Sequence, residues 1–66
     1  MNVFLNGEVR EVPNDLNLEQ LLFHFSLPSQ RVAIELNKGV VRRKDWAEVK
    51  VSESDKIEVI HFVGGG

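Results

Sequence analysis

Residues 56–66 read KIEVIHFVGGG, and the first eight of them form the longest strand-prone run of this 66-residue chain. Strand alternation places Ile57 and Val59 on one face of the predicted strand. Ile60 and Phe62 then fall on the other face. A single strand with two apolar faces is not stable alone, so other elements of the chain must cover it.

The residues that precede this strand begin with a predicted β-hairpin. Residues 3–5 and 8–12 are strand-prone and flank Asn6-Gly7. Both turn residues accept the positive φ that a type I′ turn requires. Alternation along the first strand places Val3 and Leu5 on one face of the sheet and Phe4 on the other.

The segment before Pro28 predicts one amphipathic helix. Asn17 is placed as the N-cap, and Gln20 stands at the third helical position, where it completes a capping box. Pro28 is expected to end the helix by Ser26 or Leu27. The apolar positions recur with helical spacing and form one stripe: Leu18, Leu21, Leu22 and Phe25.

Residues 32–36 predict a third strand, residues 37–39 (Asn37-Lys38-Gly39) predict a turn, and residues 40–42 predict a short returning strand. Trp46 lies in a predicted helical or 3₁₀ turn, where its indole fills the edge of the core. The element order is therefore β-β-α-β-β-β. This order predicts an α+β fold, in which one main helix packs on one face of a mixed five-stranded sheet and a short 3₁₀ turn precedes the last strand.

The predicted domain covers residues 1–63, and residues 64–66 form a predicted flexible glycine tail. Glycine has no side chain beyond hydrogen, so such a tail is as narrow as the backbone itself. Extended, three residues reach about 10 Å. The tail can therefore thread a narrow channel and place a carboxylate on Gly66 inside a partner's active site. The alternative is a frayed chain end with no function.

Composition excludes several classes of function. The chain has 8 Lys and Arg against 10 Asp and Glu, and no cysteine. A net charge of −2 argues against nucleic-acid binding, and no apolar run approaches the roughly 20 residues that span a bilayer. The two histidines, His24 and His61, stand in no metal-ligand or catalytic pattern. We therefore expect a cytoplasmic protein that is not an enzyme and binds no metal or cofactor.

Five segments carry a resemblance to a known family: MNVFLNG at 1–7, the Leu21-Leu22 helix, VAIELN at 32–37, VVRRKDW at 40–46 and DKIEVIHFVGGG at 55–66. Over essentially its whole length the chain resembles the ubiquitin-like β-grasp proteins. Within them it is most similar to the sulfur carrier proteins of thiamin biosynthesis, the ThiS family. Arg42 departs from the proline that is common there, which alters a turn and leaves the glycine end unaffected.

The resemblance implies a mechanism in which Gly66 carries the sulfur. An ATP-dependent adenylating (E1-like) enzyme would convert the Gly66 carboxylate into an acyl-adenylate. Sulfur, supplied through a donor system such as a cysteine desulfurase, would displace AMP and leave a thiocarboxylate. Thiazole synthase would then receive the sulfur. The chain itself would be a protein cosubstrate, and the ATP would be bound by the activating enzyme.

A docking surface is expected beside the tail. Phe4, Ile60 and Phe62 fall on the predicted sheet face opposite the helix, on two strands that are adjacent in a β-grasp. We predict that these three residues form a partner docking patch, while Gly64 and Gly65 thread into the partner. The alternative is that they are isolated surface hydrophobes.

Two other functions remain open from the sequence. One is a related sulfur carrier that serves molybdopterin synthesis or tRNA thiolation, because the fold does not determine the acceptor. The other is a non-covalent ubiquitin-like interaction module whose glycine tail is chemically inert.

Overall fold

The computed structural model describes residues 1–62, and the predicted glycine tail lies outside that part of the chain. The described part contains five strands, one α-helix and one 3₁₀ helix, in the predicted order. The elements are β1 (Asn2–Leu5), β2 (Glu8–Glu11), α1 (Leu18–His24), β3 (Val32–Leu36), β4 (Gly39–Val41), the 3₁₀ helix (Arg43–Glu48) and β5 (Lys56–His61).

The strands form one mixed sheet in the order β2-β1-β5-β3-β4. β1 and β5 run parallel, whereas the pairs β1–β2, β3–β5 and β3–β4 are antiparallel. The predicted fold class is confirmed. β5 occupies the centre of the sheet, so the strand that leads to the glycines has a hydrogen-bonded neighbour on each side.

Both hairpins turn through residues with positive φ. Asn6 and Gly7 have φ of 50° and 84°, as the Asn-Gly prediction of a type I′ turn requires. Asn37 and Lys38 have φ of 51° and 75° and make the corresponding turn between β3 and β4. Gly39, which the sequence placed in that turn, instead begins β4.

The helix begins as predicted and ends earlier. In the capping box, the Gln20 N–H donates to Asn17 Oδ1 at 2.7 Å and the Asn17 N–H donates to Gln20 Oε1 at 2.9 Å. The helix stops at His24 because Ser26 adopts a φ of 56°. The Leu27 N–H then bonds to the carbonyl oxygen of Leu22 at 2.8 Å, which is a Schellman ending, so Pro28 is not what stops the helix.

The core lies between α1 and the inner face of the sheet. Trp46 is only 2% exposed and is one of its largest members, and its Nε1–H donates to the carbonyl oxygen of Val41 at 2.9 Å. The indole therefore fills the core and also has its one polar atom satisfied. The other buried core residues are Val3, Leu5, Val12, Leu18, Leu21, Leu22, Val32, Ile34, Val51 and Ile57.

Candidate functional site

β5 holds the chain firmly up to the last described residue. His61 pairs with Val32 of β3, and the Phe62 N–H donates to the carbonyl oxygen of Arg31 at 2.7 Å. The residues predicted to carry the chemistry, Gly64, Gly65 and Gly66, lie outside the described residues. The described part of the chain therefore ends at Phe62, one residue past the central strand β5 and four residues before Gly66.

Two asparagine side chains fix β5 in place. Asn6 Oδ1 accepts a hydrogen bond from the Val59 N–H at 2.9 Å, beyond the end of β1. Asn37 Oδ1 accepts from the Lys56 N–H at 2.9 Å, and its Nδ2 donates to Asp55 Oδ1 at 3.1 Å. Each amide thus replaces a backbone partner that β5 would otherwise lack.

The sequence pattern places Asn6 and Asn37 in turns and does not indicate these positioning roles. A signal was present, because both predicted turns contain an asparagine and its amide can bond in addition to accepting positive φ. What the sequence did not disclose is that both side chains reach the same strand.

The three residues of the predicted docking patch lie on one face of the sheet, directed away from α1. We call this the outer sheet face. Val3, Leu5 and Ile57 are buried with α1, so the residues that alternate with them along β1 and β5 point the other way. The exposed fractions are 36% for Phe4, 41% for Ile60 and 51% for Phe62.

The strand register separates Phe4 from the other two. Phe4 pairs with Lys56, whereas Ile60 stands four residues further along β5 and pairs with Ala33. At roughly 3.3 Å per residue this offset is about 13 Å along the strand, and Glu58 lies between. Phe4 instead lines a hollow of about 150 Å³ together with Gly7, Lys56, Ile57 and Glu58.

Two further apolar side chains belong to the outer sheet face and were not predicted as part of it. Val9 pairs with Phe4 across the first hairpin and is 61% exposed. Val40 pairs with Glu35 across the second hairpin and is 71% exposed. The exposed apolar surface therefore extends to both edge strands, β2 and β4. That Val9 and Val40 belong to it follows from the pairing register of the strands.

Phe23 on α1, on the opposite side of the sheet from the outer sheet face, is an apolar residue that is 87% exposed. A hollow of about 340 Å³ lies beside it, lined by Glu19, Gln20, Leu22, Phe23, Leu27 and Ser29. This hollow is formed by α1 and the loop after it, so it is separate from β5 and from the outer sheet face.

Within residues 1–62, no three His, Cys, Asp or Glu side chains come together in an arrangement that could hold a metal ion. His24 contacts the ring of Phe25 edge-on, at 4.9 Å between ring centroids. Over the same residues, no helix has the length and apolar character needed to cross a membrane.

Comparison with known proteins identifies similar chains. The family model described as the ThiS family matches residues 3–66. The sulfur carrier protein ThiS of Bacillus subtilis is 35% identical over 63 residues, which cover 94% of this chain and 96% of that protein. A crystal structure of a thiamine biosynthesis protein (ThiS) from Geobacter metallireducens superposes with a TM-score of 0.88, at 32% identity and with 100% of both chains covered.

A second kind of relative is much longer. A thiazole synthase of Magnetococcus marinus is 42% identical over 66 residues, which are 100% of this chain and 20% of that protein. The chain thus spans about a fifth of the length of the thiazole synthase that it matches.

Proposed function

The chain belongs to the ThiS family, and we propose that it is a sulfur carrier of thiamin biosynthesis in which the carboxylate of Gly66 bears the sulfur. The observation that carries this proposal is that the family match extends to residue 66 and so includes all three terminal glycines. The similarity to the carrier of Bacillus subtilis, over nearly the whole length of both proteins, supports it.

The proposed chemistry begins with adenylation. A carboxylate is a poor acyl donor because neither oxygen is a good leaving group. Attack by the Gly66 carboxylate on the α-phosphorus of ATP releases pyrophosphate and makes AMP the leaving group. A sulfur nucleophile then forms a C–S bond at the carbonyl carbon as the bond to AMP breaks. These steps need only a free carboxylate on a narrow arm, so the carrier is a cosubstrate and its partners supply the catalytic groups.

Thiazole synthase is the proposed acceptor of the sulfur. Support comes from the 42% identity between this chain and one fifth of a thiazole synthase. A carrier that is joined to its acceptor in one polypeptide meets it at a higher effective concentration, so such a joined arrangement suits a carrier and its acceptor. An adenylating enzyme and a sulfur donor system are the other proposed partners.

The acceptor is tested by genetic complementation. We expect the chain to restore growth without thiamin to a bacterium that lacks its own thiamin sulfur carrier, and a version without Gly66 to fail. A chain that instead restored molybdopterin synthesis or tRNA thiolation to the corresponding mutants, and not thiamin synthesis, would assign it to a different acceptor.

Phe62 is expected to contribute to docking, because it is half exposed and lies two residues before Gly64, where the proposed arm begins. We predict that Phe62→Asp raises the KM of the activating enzyme for this chain by about tenfold, which corresponds to about 1.4 kcal/mol. The KM is measured by ATP–pyrophosphate exchange. Phe23→Asp is the matched control, since it places the same charge at an exposed phenylalanine on the opposite side. Equal KM values for the two variants would argue against docking through Phe62.

A further inference from the structure

The half of β5 that leads to the proposed arm has a strand partner on one side only. β1 pairs with β5 at Lys56 and Ile57 and then ends, because the chain turns at Asn6. β3 continues to pair with β5 as far as His61. The other side of residues 59–62 faces no strand in the described part of the chain.

The side chain of Asn6 extends the β1 side of the sheet by one hydrogen bond. The Asn6 N–H donates to the carbonyl oxygen of Ile57 at 2.9 Å, and Asn6 Oδ1 accepts from the Val59 N–H at 2.9 Å. In a longer parallel pair the Val59 N–H would bond to a backbone carbonyl oxygen of the neighbouring strand. The amide oxygen of Asn6 takes the place of that carbonyl at the point where the backbone turns.

Asn6 meets two requirements at once. Its φ of 50° lies in the left-handed region, which glycine, asparagine and aspartate adopt most readily. Its side chain also carries an acceptor within reach of Val59. Glycine meets the first requirement and not the second, whereas aspartate meets both. Substitution by these two residues therefore separates the turn from the hydrogen bond.

The bond from Val59 to Asn6 acts at the last point where described residues of β5 contact the core. Val59 is partly buried and packs against the core, whereas Ile60, His61 and Phe62 are exposed. Segments with few buried contacts open more often than the rest of a fold. The hold on Val59 from the β1 side therefore limits how often this end of β5 leaves the sheet.

We propose that Asn6 is a positioning residue for docking to the activating enzyme. By holding Val59, its amide keeps Ile60 and Phe62 in the orientation of the sheet before the partner arrives. Binding then costs less, because fewer groups have to be ordered at the interface. Asn6 acts through Val59 and takes no part in the reaction of the Gly66 carboxylate. The inference rests on the proposed function, since it concerns the docking of the same carrier.

The test is the KM of the activating enzyme for Asn6→Gly, measured by ATP–pyrophosphate exchange. We expect a rise of about fivefold, the effect of losing one hydrogen bond of ordinary strength. The kcat should change by less than about twofold, because the arm is unaltered once the complex has formed. The KM for Asn6→Asp should stay within about twofold of the wild type, since aspartate restores the acceptor and tolerates the positive φ.

Asn37→Gly is the matched control. Asn37 has a φ of 51°, and its Oδ1 accepts from the Lys56 N–H at 2.9 Å, at the beginning of β5. The substitution removes the same kind of bond from the other end of the strand, together with the bond to Asp55. Its Tm should fall at least as far as that of Asn6→Gly, while its KM stays within about twofold of the wild type. An equal rise in KM for both variants would assign the effect to lost stability and overturn the positioning role.

Amide hydrogen exchange of the free chain tests the same role without the enzyme. The Phe62 N–H donates to the carbonyl oxygen of Arg31, and none of these substitutions removes that acceptor. We expect the Phe62 N–H to exchange about fivefold faster in Asn6→Gly than in the wild type, and within about twofold of the wild type in Asn37→Gly. Equal rates in Asn6→Gly and the wild type would show that Asn6 does not hold this end of β5.

Failure of this inference and failure of the proposed function give different results. If the wild-type chain supports ATP–pyrophosphate exchange and Asn6→Gly has the same KM as Asn37→Gly, the positioning role is wrong and the carrier function stands. If the wild-type chain supports no exchange with an enzyme that is active on another carrier, the carrier function is wrong and the positioning role is overturned with it.

Discussion

Removal of Gly66 is expected to abolish adenylation while leaving the free energy of unfolding within about 0.5 kcal/mol of the wild type. The deletion moves the terminal carboxylate back by about 3.5 Å, one extended residue. Misplacement of a reacting group by 1 Å can cost about a hundredfold in rate, so a full residue removes activity. Stability should not change because the buried core residues of the described part all lie between Val3 and Ile57 in the sequence, and Gly66 is not among them.

The rate is followed by ATP–pyrophosphate exchange, and stability by urea unfolding. Gly66→Ala is the companion variant, because it keeps the carboxylate at its normal distance and adds one methyl group to the arm. We expect it to retain more activity than the deletion. A deletion variant that keeps a tenth or more of the wild-type rate would show that Gly66 is not the reacting residue.

Trp46→Ala is expected to lower the free energy of unfolding by about 3–5 kcal/mol, the usual cost of removing a buried tryptophan. The indole is 2% exposed, donates a hydrogen bond to the Val41 carbonyl oxygen, and carries the Arg43 guanidinium 4.6 Å from its ring. Small domains have total stabilities at the low end of about 5–15 kcal/mol, so much of this variant should be unfolded at 37 °C.

Unfolding should be followed by far-UV circular dichroism, since Trp46 is the one tryptophan of the chain. Trp46→Phe keeps most of the bulk and loses the hydrogen bond, and we expect it to cost about 1–3 kcal/mol. Phe23→Ala is the control, because Phe23 is 87% exposed and its loss should change stability by less than about 0.5 kcal/mol. Similar costs for Trp46→Ala and Phe23→Ala would contradict the position of Trp46 in the core.

Features that depend on neighbouring residues were predictable from the sequence. The Asn6-Gly7 turn and the capping box between Asn17 and Gln20 are both present, because each depends on the chemistry of residues at most three positions apart. The early end of α1 was not predicted. Ser26 takes the left-handed conformation there, and that conformation is usually signalled by glycine.

Features that depend on strand register could not be predicted in the same way. Alternation placed Phe4 and Ile60 on the correct face, but their offset follows from the pairing of Phe4 with Lys56. The hydrogen bond between Asn6 and Val59 likewise joins residues 53 positions apart in the sequence. Such pairs form through tertiary packing, so a pattern along one strand cannot identify them. The role of Gly66 as the residue that bears the sulfur remains a prediction, which rests on the resemblance and on family membership.

The absence of cysteine restricts how this chain can carry sulfur. A carrier with a thiol can hold sulfur as a persulfide on its side chain, and this one has no such group. The proposed alternative is the backbone carboxylate of Gly66. We therefore propose that sulfur replaces one oxygen of that carboxylate.

The most direct test is the intact mass of the chain after incubation with the activating enzyme, ATP and a sulfur donor, followed by fragmentation to locate any change. The proposed mechanism predicts a mass increase equal to the exchange of one oxygen for sulfur, confined to the fragment that contains Gly66 and absent when ATP is omitted. An unchanged mass with an enzyme that is active on another carrier, or a sulfur atom located anywhere else in the chain, would contradict it.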